Sequence, residues 1–392
     1  MRSKVCIVTG SRAEYGILHP LLSKIKSDRG FQLQLIATGM HLSSEFGLTY
    51  KEIEKDGFKI NEKVEMLLSS DTEMGIAESI GLGITGFADA FARLKPDLIV
   101  LLGDRFEIFA VAIAAFVMRL PIAHIHGGEL TEGAMDDAFR HSITKMSYLH
   151  FTSTEEYRRR VIQLGESPER VFNVGALSID NIRSTKLLKR EELEKKLNFT
   201  FGKRNVLVTF HPVTLENNTA ALQFKELLKA LDDFKDLKII FTKPNADTNG
   251  RVIIKLIDKY TRDNRNRAVS IVSLGTQMYF STIKVVDAVV GNSSSGIIEV
   301  PAFGRPIVNI GDRQKGRIKA PSIIDCEPQK NAIYKGIVKA FSVDFRQFCK
   351  KVRNPYGDGN AAERITKIIK EKIVKIRSLK KAFYNIEFNK DV

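Results

Sequence analysis

Residues 103–145 hold the side chains of this chain best suited to moving protons. The stretch reads GDRFE, then HIHGGELTEG, then DDAFRHSITK. It places Asp104, Glu107, Glu129, Glu132, Asp136 and Asp137 beside His124, His126, His141, Arg105 and Arg140. Of the chain's seven histidines, four (His124, His126, His141 and His150) fall in or just after it. Carboxylates and imidazoles gathered at the ends of buried strands are the raw material of general acid–base catalysis, so the pattern points to an enzyme. His124 and His126 lie two apart and would share one face of a strand that ran through both. No other spacing supplies further ligands on that face, and no metal is expected.

Three further stretches suit an anionic substrate. Thr9-Gly10-Ser11-Arg12 follows an apolar run and opens a helix. It is neither a dinucleotide fingerprint nor a Walker loop, so no such cofactor is expected, but a glycine turn with Arg12 at a helix start favours an anion. Gly291-Asn292-Ser293-Ser294-Ser295-Gly296 has more hydroxyls than a helix cap needs and reads as a phosphate cradle, with Glu299 placed one turn on to accept from sugar hydroxyls. Arg313 follows the next strand as a candidate diphosphate clamp. His211 ends a strand, as a structural or a substrate-contacting residue.

The elements that must position these groups alternate. Apolar runs at 5–9, 33–38, 98–102, 122–125, 148–152 and 171–174 read as parallel strands covered on both faces, with helical patterns at 16–26, 74–94 and 136–146 between them. A charged helix and linker occupy 184–204, and the rhythm restarts with strands at 206–210, 238–241, 269–272, 288–290 and 307–310. Two such series predict an α/β protein of two doubly wound domains facing a central cleft. The predicted limits are 1–180 and 205–358, with a basic helix and tail at 359–392 packing back on them. Ligands of such sheets sit beyond the carboxyl ends of the strands, where the unusual clusters fall.

Composition narrows the class. The 392 residues are 43% hydrophobic and 27% charged, as in ordinary globular proteins. No run approaches the roughly 18 apolar residues of a membrane span, and the first apolar run is too short for a signal segment. Cys6, Cys326 and Cys349 form no redox or metal spacing, which suits a reducing cytoplasm. The net charge of +15 is concentrated in part at 364–381, where eight Lys or Arg accompany the single acid Glu371. Ile365, Ile368, Ile369, Ile373, Val374 and Ile376 recur there at helical spacing, predicting an amphipathic helix with a buried face and a solvated basic side. Neither nucleic acid nor membrane is expected as a partner.

The motifs SRAEYG, TGMHLS, LGDRFE, HIHGGE, DDAFRHSITKMS, FHPVT, NADT, GNSSSGIIEVP and VNIGDRQKGR occur in that order. In this the chain resembles, over essentially its whole length, the hydrolysing UDP-N-acetylglucosamine 2-epimerases of bacterial sialic-acid and capsule synthesis. The resemblance implies the GT-B architecture of two Rossmann-like domains, no cofactor, and a homodimer or homotetramer. It implies conversion of UDP-N-acetylglucosamine to N-acetylmannosamine and UDP through a 2-acetamidoglucal. A UDP- or GDP-linked 2,4-diacetamido-trideoxy sugar is the alternative substrate, and a glycosyltransferase of the same architecture the more distant one. Position by position, the resemblance makes Asp104 and Asp136 catalytic carboxylates and places His211 near the diphosphate. Arg12, Arg105, Arg140 and Asn245 become substrate contacts, Ser293, Ser294 and Arg313 phosphate contacts, and Glu299 a ribose contact. Many members carry a catalytic glutamate two residues after the strand-end histidine. Here that position is His126, with Glu129 three residues later, and the sequence leaves both open as the second acid–base group.

Overall fold

The computed structural model describes residues 2–68, 72–130, 135–211, 220–244, 250–272 and 274–387. Asn245 and Glu132 lie outside them. Contacts group the chain into two units, Met1–Asn181 with Tyr356–Val392, and Ile182–Pro355, where the sequence suggested divisions at 180, 205 and 358.

The first unit is built on seven parallel strands: β1 (Ser3–Thr9), β2 (Phe31–Thr38), β3 (Glu62–Val64), β4 (Leu98–Leu102), β5 (Ile122–Ile125), β6 (Leu149–Thr152) and β7 (Val171–Asn173). They lie in the order β3-β2-β1-β4-β5-β6-β7. Helices cover both faces, so β4 (LIVLL) is buried at every position and shows no polar alternation. The strand order reverses between β1 and β4, and the loops leaving their carboxyl ends are those that begin at Gly10 and Gly103. At that same edge Gly103 N donates to Ile125 O (3.0 Å) and His126 N to Phe151 O (2.9 Å), which holds the ends of β4, β5 and β6 level.

The second unit repeats the plan with β8 (Arg204–Thr209), β9 (Leu237–Thr242), β10 (Ala268–Ile271), β11 (Ala288–Gly291), β12 (Ile307–Ile310) and β13 (Ile323–Cys326). All are parallel, in the order β10-β9-β8-β11-β12-β13, and the reversal falls between β8 and β11. Gly291 closes β11 at φ +140, and a Cβ there would stand 1.9 Å from Thr209 O, so only glycine fits. The charged segment before β8 contains a short helix, Arg190–Leu197, that buries Leu193 and Leu197. Both units are thus parallel-sheet α/β, as expected from sequence. Among the described residues no helix is long and apolar enough to cross a membrane.

The basic segment departs from expectation. Its helix, Ala361–Ile373, ends well short of 381. Asp180 anchors it, accepting from the amides of Ala361 (2.9 Å) and Ala362 (2.7 Å), and Ala361, Ala362, Ile365, Ile369 and Ile373 enter the core of the first unit alone. The chain then runs without regular structure to 387. Its basic residues are not uniformly solvated. Lys381 Nζ donates to the carbonyls of Lys145 and Ser147 (2.7 Å each) and to both oxygens of Glu166 (2.9 Å). Burial would raise the Glu166 carboxyl, but hydrogen bonds from His150, Lys145 and Lys381 outweigh it and hold the pKa down to about 2.

Two stabilities follow. Ile369→Ala should cost about 2–5 kcal/mol in chemical denaturation, because it empties a fully buried site. Lys381→Ala should cost about 1–3 kcal/mol by removing one of the three partners of buried Glu166 and the tail's bonds to the Lys145 and Ser147 carbonyls, against less than about 0.5 for its exposed neighbour Lys380→Ala. Equal effects of the two lysine changes would mean that the tail is not anchored.

Candidate active site

In the first unit the turn after β1 is shaped around carboxylates. Ser11 caps the helix Arg12–Ser27, its Oγ accepting from Glu14 N (3.3 Å), while Gly10 N donates to Glu14 Oε2 (2.7 Å). Arg12 is exposed and pairs with Glu52 (3.0 Å). Burial, reinforced by the charge of Glu107, pushes the Glu14 carboxyl up to about 7 against the opposing pull of Arg105 and the Gly10 amide.

β4 delivers Asp104 and Arg105 through Gly103, at φ +78. Arg105 donates from Nε (3.1 Å) and Nη2 (3.0 Å) to the two oxygens of Glu107, which is wholly buried. Two glycines make room for that carboxylate. A Cβ at Gly39 (φ +56) would lie 3.0 Å from Glu107 Cγ, and one at Gly10 would lie 3.3 Å from Glu107 Cβ.

β5 delivers the histidines, and they separate. His124 is fully buried, and its Nε2 reaches Gly103 O (2.8 Å), an atom that can only accept. That contact assigns the Nε2–H tautomer and leaves Nδ1 to accept from Thr144 Oγ1 (3.1 Å). Burial drops its pKa to about 3, so His124 is a neutral brace under the Asp104 turn. The strand ends at Ile125, and His126 adopts φ +68. The two histidines therefore do not share a strand face. The turn swings His126 Nδ1 to 3.5 Å from Glu129 Oε1, and Ser153 Oγ donates to the same oxygen (3.0 Å). The two residues that the sequence left as alternatives stand together. Gly128 (φ +80) completes the turn, where a Cβ would meet Tyr157 O at 2.4 Å.

The helix Met135–Met146 closes the arrangement. Arg140 is 3% exposed; its Nη2 donates to Asp104 Oδ2, and its Nη1 donates to the Glu129 carbonyl (2.6 Å) and to Asp137 Oδ1 (3.4 Å). Asp136 is half-buried in the first turn, and its charge favours the charged form of Arg105. Asp104, Arg105, His126, Glu129, Asp136 and Arg140 thus converge at the carboxyl ends of β4 and β5. Such a set can accept a proton, return one, and hold an anion. Among the described residues, no three of His, Cys, Asp and Glu are grouped as metal ligands.

In the second unit Asn292 is the hub. Its Oδ1 accepts from His211 N (2.7 Å), its Nδ2 donates to His211 O (2.8 Å), and its carbonyl accepts from Arg313 Nη1 (3.0 Å) and Gln314 Nε2 (2.9 Å). One residue therefore binds the ends of β8, β11 and β12 together. Burial, then the charge of Arg313, lowers His211 to about 4, so it offers a neutral N–H rather than a positive charge. Ser293 and Ser294 are half-buried, and among the described residues their hydroxyls make no hydrogen bond. Ser295 donates to Glu299 and meets Tyr279 Oη (2.7 Å). Burial raises Glu299 to about 7. The helix at the cradle, Ser294–Ile298, is one turn that passes into the short turn Val300–Phe303 at Pro301. Its dipole is correspondingly small, so the cradle depends on local amides and hydroxyls instead.

The sequence assigned no role to Glu14, Glu107 or Asn292. The signal for Glu107 was its spacing in Arg-x-Glu beside two glycine turns, and the one for Asn292 was its place between Gly291 and the serines.

A family model described as UDP-N-acetylglucosamine 2-epimerase matches residues 23–370. The GDP/UDP-N,N'-diacetylbacillosamine 2-epimerase (hydrolyzing) of Campylobacter jejuni is 46% identical, with 88% of this chain and 89% of that protein covered. The polysialic acid biosynthesis protein P7 of Escherichia coli is 42% identical over 98% of this chain and 97% of its own length. Among solved structures, the UDP-GlcNAc 2-epimerase of Neisseria meningitidis bound to UDP-GlcNAc superposes with a TM-score of 0.81 at 16% identity, covering 94% of this chain and all of that one. That last likeness is one of fold.

Glu14 yields a pH-dependent prediction. Its folded-state pKa lies above the ordinary value, so its contribution to stability is complete below pH 4.5 and is lost as pH rises through about 7. Glu14→Gln removes the burdened charge. The variant should be more stable than the parent at pH 8, by up to about 3 kcal/mol, with the gap closing near pH 4. A parent that is the more stable protein at pH 8 would contradict the assignment.

Proposed function

The chain belongs to the UDP-N-acetylglucosamine 2-epimerase family, and on that premise we propose that it is a hydrolysing 2-epimerase acting on a UDP- or GDP-linked 2,4-diacetamido-trideoxy sugar. The supporting observation is the 46% identity, over 88% of the chain, to a hydrolysing epimerase named for N,N'-diacetylbacillosamine. A second reading, UDP-N-acetylglucosamine itself, is favoured by the 42% identity to a protein of polysialic acid biosynthesis.

In the proposed reaction a base takes the C2 proton while the C1–O bond to the nucleoside diphosphate breaks, leaving a glycal and the free nucleotide. Water then adds across the double bond, hydroxyl to C1 and proton to C2, with C2 inverted. Asp104 and the His126–Glu129 pair are the groups assigned to C2, with Asp136 beside them. Glu129 holds His126 in orientation and offsets the charge it acquires when it takes a proton, as a carboxylate does for a catalytic imidazole. Arg105, whose side chain is partly exposed, is assigned to the sugar, and Arg140 to the substrate site through the Asp104 carboxylate it holds. We assign the leaving diphosphate to Arg313, the cradle at Ser293 and Ser294, and the neutral His211 N–H, and the ribose to Glu299. Arg12 is assigned an anionic substrate group. Asn245, outside the described residues, keeps its assignment from sequence. The active form is proposed to be a homodimer or homotetramer in the cytoplasm.

Incubating the protein in parallel with UDP-N-acetylglucosamine and with UDP-N,N'-diacetylbacillosamine, and following products by NMR, tests the reading. Free 2-epimeric sugar should appear faster from the diacetamido substrate. Preference for UDP-N-acetylglucosamine would favour the second reading, and a product still attached to the nucleotide would exclude hydrolysis. Asp104→Asn should lower kcat by roughly 10²–10⁴-fold with nucleotide binding retained. A near-normal kcat would remove Asp104 from the mechanism.

A further inference from the structure

At the amino ends of the first unit's strands, away from the residues assigned to substrate, lies a pocket of ≈ 970 Å³. Arg2 and Ser3 at the start of β1, Asp97 before β4, and Pro121 and Ile122 at β5 form its floor. The end of the helix Phe106–Val117 and the residues just after it make one wall, and residues 373–381 make the other.

Its lining combines aliphatic surface with predominantly positive charge. Leu120, Ile122, Met146, Ile373, Ile376 and Leu379 form the apolar part, while Phe116 (55% exposed) and Val374 (61%) leave large hydrophobic surface at the rim. Arg2, Arg119, Arg377 and Lys380 are exposed around it, and among the described residues none of the four forms an ion pair. Lys381 is already neutralised by Glu166. The one lining carboxylate, Asp97, accepts from the Lys4 amide (2.8 Å). The polar side chains able to read a base or a sugar are few and engaged. Ser147 Oγ donates to Ile143 O (2.7 Å), Ser378 Oγ accepts from Lys380 N (3.1 Å), and the Tyr148 ring is covered by the Arg170 guanidinium at 4.1 Å.

We propose that this pocket binds an aliphatic anion, with an alkyl chain along Leu120, Ile376 and Leu379 and a phosphate head among Arg2, Arg119, Arg377 and Lys380. Apolar clefts with a few convergent charges are the usual form of small-molecule sites. Long basic side chains bury their stems on apolar surface while their heads wait at the rim for an anion. The same head-group chemistry could come from a free alkyl phosphate or from an anionic lipid.

The test is titration of the full-length protein with dodecyl phosphate below its micellar concentration, followed calorimetrically. Binding should be retained in excess UDP and weakened at least tenfold in Arg119→Gln/Arg377→Gln, two exposed substitutions compatible with the fold. Ile376→Glu should weaken it through the apolar wall. Dodecyl maltoside and inorganic phosphate, each carrying half of the chemistry, should bind at least tenfold more weakly. An unchanged affinity in the double variant, displacement by UDP, equal binding of dodecyl maltoside, or no binding would each overturn the proposal. Sedimentation with phosphatidylglycerol but not phosphatidylcholine vesicles, lost in the double variant, would assign a lipid headgroup as the source. Dodecyl phosphate binding without sedimentation would assign a free amphiphile, and the pocket stands in either case.

Discussion

Arg140 is a guanidinium removed almost entirely from water, and the geometry of the first unit's site follows from what it needs there. A buried cation is tolerable only when every donor has a partner. Three separate pieces of chain meet that need: the Asp104 carboxylate after β4, the Glu129 carbonyl after β5, and Asp137 on the arginine's own helix. The loops that carry the proposed acid–base groups are thereby tied to one point. His124, neutral and buried, holds the Gly103 carbonyl from below, so the Asp104 turn is gripped from two sides. Catalysis by positioned carboxylates depends on such rigidity, because small misplacements of a reacting group are costly.

Asn292 plays the corresponding part in the second unit without a charge. Its side chain satisfies both backbone groups of His211, and its carbonyl collects Arg313 and Gln314. Gly291 lets the strand approach closely enough for that contact to form. A diphosphate leaving group calls for several donors held in place beforehand, and the hub holds Arg313 through a neutral carbonyl. The two units thus solve one problem, fixing loops beyond a strand-order reversal, by different chemistry.

Much of this was legible in the residues. Strands Leu98–Leu102, Ile122–Ile125 and Ile307–Ile310 fall where their near-continuous apolar runs place them, since strands covered on both faces need no polar alternation. Two of the four edge strands, Val171–Asn173 and Ala268–Ile271, were legible as well, but Glu62–Val64 and Ile323–Cys326 were not, because they are short and carry charge. The basic segment was read as one helix because its isoleucines keep the period past 373. The helix ends at Ile373, and beyond it Lys381 meets a buried carboxylate distant in sequence, a tertiary contact that no local pattern encodes. The His126–Glu129 pairing was hidden for a related reason. It depends on a left-handed backbone at a histidine, which the neighbouring glycines permit but do not announce.

The central claim is that the carboxylate and imidazole groups of the first unit remove the C2 proton of a nucleotide sugar and that solvent returns it. Running the reaction in deuterium oxide and examining the released sugar by NMR tests this directly. The account predicts one deuterium at C2 of the epimeric product, already present at the first turnover and absent from recovered sugar when Asp104 is replaced. Free sugar released with protium at C2 and unchanged configuration would contradict it, since the nucleotide would then have left without any chemistry at C2.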